Sequence, residues 1–346
     1  MPRSSEGLPR ALGRALDTAL DRSVVAGYTR IGYQVRRRIG TWPADPAPNA
    51  LRGKDVVVTG ASSGLGAATA IEMARLGAHV HLVVRDPAKA ADAAEQVDAA
   101  AGTGAQQVWR CDLADRTSVQ RFAADFLRHP RPLAGIVHNA GVLPATRQED
   151  DHGRELTMAV HVLGPIALTE ALLPVLAGHH ARVVFVTSGG MYTQPLVLDD
   201  LDYRRGPYRG PVAYARSKRA QVELLPMLQR RWGASGIGVY ATHPGWAATP
   251  GVTSSLPHFA SITRPLLRRG NEGIDTTTWL MATEPAPAGG GLWHDRRQRP
   301  TTYFGRNGAD MQERGRLWDW VRAELGLGPG PAATGSGPSP RTSPEG

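Results

Sequence analysis

The sequence predicts an α/β fold: a doubly wound parallel sheet of about seven strands with helices on both faces. Three observations carry this expectation. From Lys54 onward short apolar runs alternate with helical stretches, the pattern of consecutive βαβ units. Runs such as Val183-Val184-Phe185-Val186 are apolar at every position, as strands covered on both faces must be. The first run, Val56-Val57-Val58, empties into Thr59-Gly60-Ala61-Ser62-Ser63-Gly64-Leu65-Gly66. A helical stretch follows, and a strand, glycine turn and helix N-terminus together make a pyrophosphate site of the Rossmann type. The spacing here is G-x-x-x-G-x-G and not G-x-G-x-x-G, so the turn alone is weak evidence and the rest of the chain has to decide.

Strands are expected at 55–59, 79–84, 106–110, 133–138, 182–187 and 237–242, with a seventh around 290–293. Helices are expected at 64–76, 87–100, 117–128, 152–177 and 212–233, and a short one at 311–325. Residues 1–50 are expected to form a basic amphipathic arm and a linker, 51–325 one catalytic domain, and 326–346 a disordered Gly/Pro/Ser-rich tail. In the arm, Leu8, Leu12, Leu16 and Leu20 share one helical stripe, while Arg10, Arg14, Asp17 and Asp21 take other faces. Packing of that helix on the domain or on a second subunit is the first reading; contact with an anionic membrane surface through residues 1–40 is the second.

The net charge is +9, and residues 1–40 concentrate it, with eight arginines against Glu6, Asp17 and Asp21. No basic face interleaved with aromatic residues follows, so nucleic acid is not an expected partner. One cysteine, Cys111, excludes an intrachain disulfide and fits a reducing compartment. No run approaches the ~20 apolar residues of a membrane span. Together these predict a cytoplasmic protein, with peripheral membrane association as the second reading. No Cys/His/Asp cluster has zinc spacing, and no metal is expected.

Sheets of this kind bind ligands beyond the carboxyl ends of their strands. Those ends read Thr59-Gly60, Arg85, Asp112, Asn139-Ala140-Gly141, Ser188 and His243-Pro244-Gly245. On the long helix after the fifth strand, Tyr214 and Lys218 stand at i and i+4, on one face. In this order the segments are highly specific, and from about Arg52 to Pro250 the chain resembles the short-chain dehydrogenase/reductase family. The matching pieces also include Cys111-Asp112-Leu113, Val186-Thr187-Ser188 and Tyr214-Ala215-Arg216-Ser217-Lys218. Within the family, the segments Ser188-Gly189-Gly190-Met191, His243 to Val252 and Trp293-His294-Asp295-Arg296 are most similar to the group called dehydrogenase/reductase SDR family member 12.

The resemblance implies hydride transfer between a nicotinamide cofactor and a small carbonyl/alcohol substrate. A free tyrosine has a pKa near 10. A lysine ammonium one turn away, with the nicotinium charge, would favour tyrosinate. Tyr214 is therefore the expected general acid/base, Lys218 its tuning partner and ribose ligand, and Ser188 the group that aligns the substrate oxygen. The cofactor residues implied are Gly60, Ser62, Ser63, Gly64, Leu65, Gly66, Asp112, Leu113 beside the adenine, Asn139, Ala140 and Gly141 along the ribose, and Thr249 at the carboxamide. One position departs from the family pattern: His161 stands where an asparagine helps hold a water and the lysine, so a proton relay through His161 competes with a plain structural role.

Val84 occupies the position where NAD sites carry an acid, and Arg85 follows it. A guanidinium without that carboxylate suits a 2′-phosphate, so NADP(H) is the expected preference, with NAD(H) as the alternative. His243, ahead of a Pro-Gly turn, is expected to be structural. Leu198, Leu201, Phe259 and Ile262, in the segments 191–213 and 251–270, are expected to wall a pocket for a hydrophobic or lipid-like substrate. The rival to an enzyme is a non-catalytic dinucleotide-binding regulator or scaffold of the same fold. The family resemblance also makes a homo-oligomer an expected form.

Overall fold

The structure, a computed structural model, describes residues 10–23, 25–247, 267–303 and 307–328. The expectations placed on Thr249, Phe259, Ile262 and the tail from 329 onward lie outside the described residues.

Seven strands run parallel: β1 Asp55–Thr59, β2 His79–Val84, β3 Gln106–Arg110, β4 Leu133–His138, β5 Arg182–Val186, β6 Gly238–Thr242 and β7 Gly291–His294. An eighth, β8 Arg297–Arg299, returns antiparallel on β7. The order is β3-β2-β1-β4-β5-β6-β7-β8, so the chain reverses direction across the sheet between β1 and β4. That switch point opens a crevice above the glycine turn. The eighth strand was not expected, because Arg297-Gln298-Arg299 has neither apolar alternation nor a glycine turn ahead of it. Its hairpin instead turns through Asp295 and Arg296, both non-glycine residues at φ +51 and +55.

The helices are α1 Arg10–Arg22, α2 Val25–Tyr28, α3 Arg30–Arg38, α4 Gly64–Arg75, α5 Ala91–Ala101, α6 Arg116–Leu127, α7 Leu156–Met158, α8 Gly164–Ala171, α9 Leu173–Leu176, α10 Gly210–Gly233, α11 Gly270–Ala282 and α12 Met311–Leu325. Two apolar cores result, one on each face of the sheet. One joins Val57, Ile136, Val183 and Val239 to α6, α8, α10 and α12. The other joins Val56, Val58, Leu82 and Val184 to α4, α5 and α11. The two faces account for the continuous apolar strands of the sheet centre, whose side chains meet helices on both sides.

The expected single helix over 152–177 is broken. Residues 159–163 form a π turn between α7 and α8. Pro165 supplies the reason: it has no N–H to give the carbonyl of His161, four residues back. That carbonyl accepts instead from Gln221 Nε2 of α10 at 2.6 Å.

The arm also departs from expectation in how it packs. α1 turns Gly13, Asp17 and Asp21 inward and leaves Leu12 and Leu16 exposed at 53% and 36%. Arginines compel this. Asp17 accepts from Arg36 Nε, Arg299 Nη1 and Arg299 Nη2, each at 2.9 Å. Residues 43–45 are likewise fixed, with Arg296 donating to the carbonyls of Pro43 and Ala44 and pairing with Asp45.

Candidate active site

The glycine turn sits where β1 ends. Gly60 adopts φ +66, and a Cβ there would lie 2.7 Å from Ala140 Cα, so the turn packs flush against the segment after β4. Thr59 Oγ1 accepts from the N–H groups of both Asn139 and Ala140 at 3.1 and 3.2 Å. A Cβ on Gly66 would lie 2.5 Å from Asn139 Nδ2. Ser63 caps α4 without a side-chain hydrogen bond, which leaves the first-turn N–H groups of Gly64, Leu65 and Gly66 directed at the crevice. An unfilled helix N-terminus under a close-packed glycine turn fits a pyrophosphate.

At the end of β2 the two neighbouring residues separate by direction. Val84 is buried at 3% exposure in the core, while Arg85 is exposed. Val84 is therefore not the residue that faces a ribose, and the reading of cofactor preference narrows to Arg85. Arg85 makes no ion pair among the described residues and lines a cavity of about 330 Å³ with Arg110, Asp112 and Arg121. Asp112 is shaped as a loop bracket: its Oδ1 accepts from Ala114 N, and its own N–H meets Ser118 Oγ. Leu113 packs under the loop at 7% exposure. Cys111 is buried, its thiol pushed up to about 12 by desolvation, as a core residue should be.

Ser188 follows β5 and opens a 3-10 turn, Gly189–Thr193, with its Oγ accepting from Gly190 N at 3.2 Å. Tyr214 and Lys218 project from one face of α10. Lys218 Nζ donates to the carbonyl of Val186 at 2.9 Å and lies 5.6 Å from the centroid of the Tyr214 ring. Burial dominates both groups. It raises the Tyr214 phenol above its ordinary value, a rise that the hydrogen bond with Ser188 opposes. It draws the Lys218 ammonium down to about 7. Sequence reasoning expected the lysine to lower the tyrosine. The lysine sits over the ring face, and desolvation decides both directions.

His161, which was a relay candidate, has both ring nitrogens engaged. Nε2 accepts from Val142 N at 2.9 Å, which leaves the proton on Nδ1, 2.7 Å from Ser217 Oγ. Ser217 Oγ in turn donates to the carbonyl of Tyr214. Burial and the Lys218 charge hold the imidazole well below its ordinary pKa. The ring thus ties the segment after β4 to α10 near Tyr214 and has no free nitrogen to pass a proton. His243 is buried too, with Nδ1 accepting from Gly245 N and its ring stacked on His294 at 3.9 Å. Leu198 and Leu201 pack against the core and are spent there, so they give no support for an apolar pocket.

Two groups escaped sequence reasoning. Arg219, next to Lys218, is fully buried; it donates to the carbonyls of Met191, Gln194 and Thr301 and pairs with Glu223. An Arg and a Glu at i and i+4 within an apolar helix were the available signal. At the opposite end of the sheet, Asp55, His79 and His81 bring ligand atoms together. Trp109 Nε1 donates to His81 Nδ1, so the His81 proton lies on Nε2 and goes to Asp55, whose other oxygen meets Arg131. That is the wiring of a buried donor–acceptor chain; coordination would need the nitrogen that carries the proton.

A glycine turn at the switch point, with Ser188, Tyr214 and Lys218 one strand beyond, is the arrangement expected of a dinucleotide-binding oxidoreductase of the α/β class. The comparisons agree. Residues 54–199 match the short chain dehydrogenase family model. The human dehydrogenase/reductase SDR family member 12 is 36% identical over 279 residues, 78% of this chain and 84% of that protein. Mouse retinol dehydrogenase 11 is 32% identical over 286 residues, covering 80% and 88%. Among solved structures, a short chain dehydrogenase from Shigella flexneri 2a strain 301 complexed with NADP has a TM-score of 0.59 at 25% identity, covering 72% of this chain and all of that one. The chain belongs to the short-chain dehydrogenase/reductase family and is an NAD(P)-dependent oxidoreductase acting on a small molecule. Among the described residues no helix is long and apolar enough to cross a membrane.

Proposed function

We propose that this chain interconverts a carbonyl and its alcohol with NADP(H), on a hydrophobic substrate. The observation that carries the reading is the convergence of the Ser188 hydroxyl, the Tyr214 phenol and the Lys218 amine at the ends of β5 and α10. A nicotinamide dinucleotide supplies or accepts the hydride when bound. Gly64, Leu65 and Gly66 would hold its pyrophosphate through their N–H groups, and Arg85 a 2′-phosphate. Tyr214 gives its phenolic proton to the substrate oxygen in reduction and takes it back in oxidation. A raised phenol pKa keeps that proton in place until it is needed. Ser188 donates to the same oxygen and orients it. Lys218, released from the Val186 carbonyl, serves the ribose and the tyrosine. The hydrophobic substrate rests on the likeness to retinol dehydrogenase 11.

The test is reduction of retinaldehyde and decanal with NADPH by the wild type and by Tyr214→Phe. The expected result is wild-type turnover, with loss of at least ~100-fold in the variant and unchanged NADPH binding. Equal turnover in both proteins would remove Tyr214 as the acid/base, and NADPH binding with no turnover on any carbonyl tried would favour the non-catalytic reading.

The arm carries a second role. Leu12, Leu16 and Ile31 of the arm are exposed, as are Arg14, Arg37 and Arg38, and exposed apolar and basic side chains in one arm suit anionic lipid.

A further inference from the structure

Trp293-His294-Asp295-Arg296 and the N-terminal arm both stand outside the dinucleotide site, and the structure joins them. Asp295, in the turn between β7 and β8, pairs with Arg36 of α3 at 2.6 Å and with Arg268 at 2.6 Å, all three almost fully buried. Both arginines also donate to the carbonyl of Gly27, and Arg268 Nε donates to the carbonyl of Tyr28. The same Tyr28 carbonyl accepts from Trp246 N at 2.8 Å, in the loop after β6. A Cβ on Gly245 would lie 2.7 Å from that oxygen. The backbone of residues 27–28 is therefore clamped to the loop that follows β6.

The Tyr28 side chain reaches the loop after β5. Its ring lies against Gly189, where a Cβ would stand 3.0 Å from Tyr28 Cε2. Gly189 is the residue after Ser188, whose hydroxyl accepts from Gly190 N in the same turn. The ring is held from its other sides by His243 at 4.5 Å, His294 at 5.2 Å and Tyr192 at 6.5 Å between centroids. It is 1% exposed.

We propose that Tyr28 is a positioning residue for the reaction, with its ring bracing Gly189 so that the Ser188 hydroxyl meets the substrate oxygen and Tyr214. The Asp295 anchor holds the arm so that it can do so. A serine hydroxyl in a 3-10 turn is placed by whatever fixes that turn. Here a flat aromatic ring on a residue without a side chain fixes one side, and Arg219 fixes the other through the carbonyls of Met191 and Gln194. Tyr28 never touches substrate or cofactor; its effect passes through Gly189.

The inference rests on the catalytic reading of Ser188 and Tyr214, and the experiment separates the two. Full-length Tyr28→Ala, Tyr28→Phe and Gly189→Ala are compared with wild type and Tyr214→Phe, using NADPH with decanal. Tyr28→Ala is expected to lose roughly tenfold or more in kcat, because small misplacements of an orienting group are costly, while KM for NADPH stays within about twofold. Tyr28→Phe keeps the ring and is expected to restore kcat. Gly189→Ala, which pushes the same contact from the other side, is expected to reproduce the kcat loss, and it decides the matter if Tyr28→Ala does not fold. Wild-type kcat in the folded alanine variants, or a kcat loss matched by loss of NADPH binding, would overturn the inference. An active Tyr214→Phe would instead overturn the catalytic reading beneath it.

Discussion

Individual side chains separate the roles that sequence spacing left tied. His161 was open between relay and scaffold, and the choice turns on which nitrogen bears the proton. Val142 N–H occupies Nε2 and Ser217 Oγ takes the Nδ1 proton, so removal of the ring should act on stability. His161→Ala removes a fully buried ring and the acceptor of the part-buried Val142 N–H, a cost of about 1–3 kcal/mol. Thermal melts should show that loss, while the limbs of the kcat–pH profile stay in place; a displaced limb would restore the relay. Arg85 is the matching case for the cofactor. Val84 faces the core, so an acid introduced there would be buried and would report on folding. Arg85→Asp is the informative change, expected to lower kcat/KM for NADPH by roughly tenfold or more relative to NADH. An unchanged ratio would remove the NADP(H) preference.

Elements were legible to the extent that their packing was apolar. The seven parallel strands came within one residue of expectation because most are apolar runs followed by a glycine or polar residue; β3, Gln106–Arg110, is the mixed exception. α1 was misread for the same reason: its leucine stripe looked like the buried face, but Asp17 binds Arg299, 282 positions away, and no local period reports such a pairing. The π turn was hidden as well, since Pro165 alone suggests a kink and only Gln221 shows how the freed carbonyl is satisfied. Two expectations follow for the arm. Asp295→Asn leaves the buried Arg268 without its carboxylate, while Arg36 keeps Asp17 and Asp21, and should cost about 3–5 kcal/mol. Asp199→Asn, which removes an exposed pair with Arg205, should leave the melting temperature unchanged. Equal melting temperatures for the two variants would mean that the Asp295 network does not hold the arm. In co-sedimentation with phosphatidylserine vesicles, replacement of Leu12, Leu16 and Ile31 by serine should abolish binding without altering turnover; binding that survives would assign the lipid contact elsewhere.

At the scale of the whole molecule, site and fold were readable together because a doubly wound sheet sends every strand's carboxyl end to one edge. Thr59, Asn139, Ser188 and Tyr214 could thus be assembled before any coordinates. What the order of strands could not convey is the electrostatic state of the assembled site. Lys218 is buried with an amine pKa of about 7, against about 10.5 for the unfolded chain. Between those values the unfolded chain binds more protons than the native one, so native stability rises with pH. Below about 7 both states carry the charge and the full burial penalty applies; toward 10 the penalty is relieved. In Lys218→Met the group is absent. The melting-temperature advantage of the methionine variant over cofactor-free wild type should therefore be largest near pH 6 and shrink steadily toward pH 10. A constant difference across that range would show that Lys218 keeps its charge in the native protein, and that a partner other than the Val186 carbonyl neutralises it.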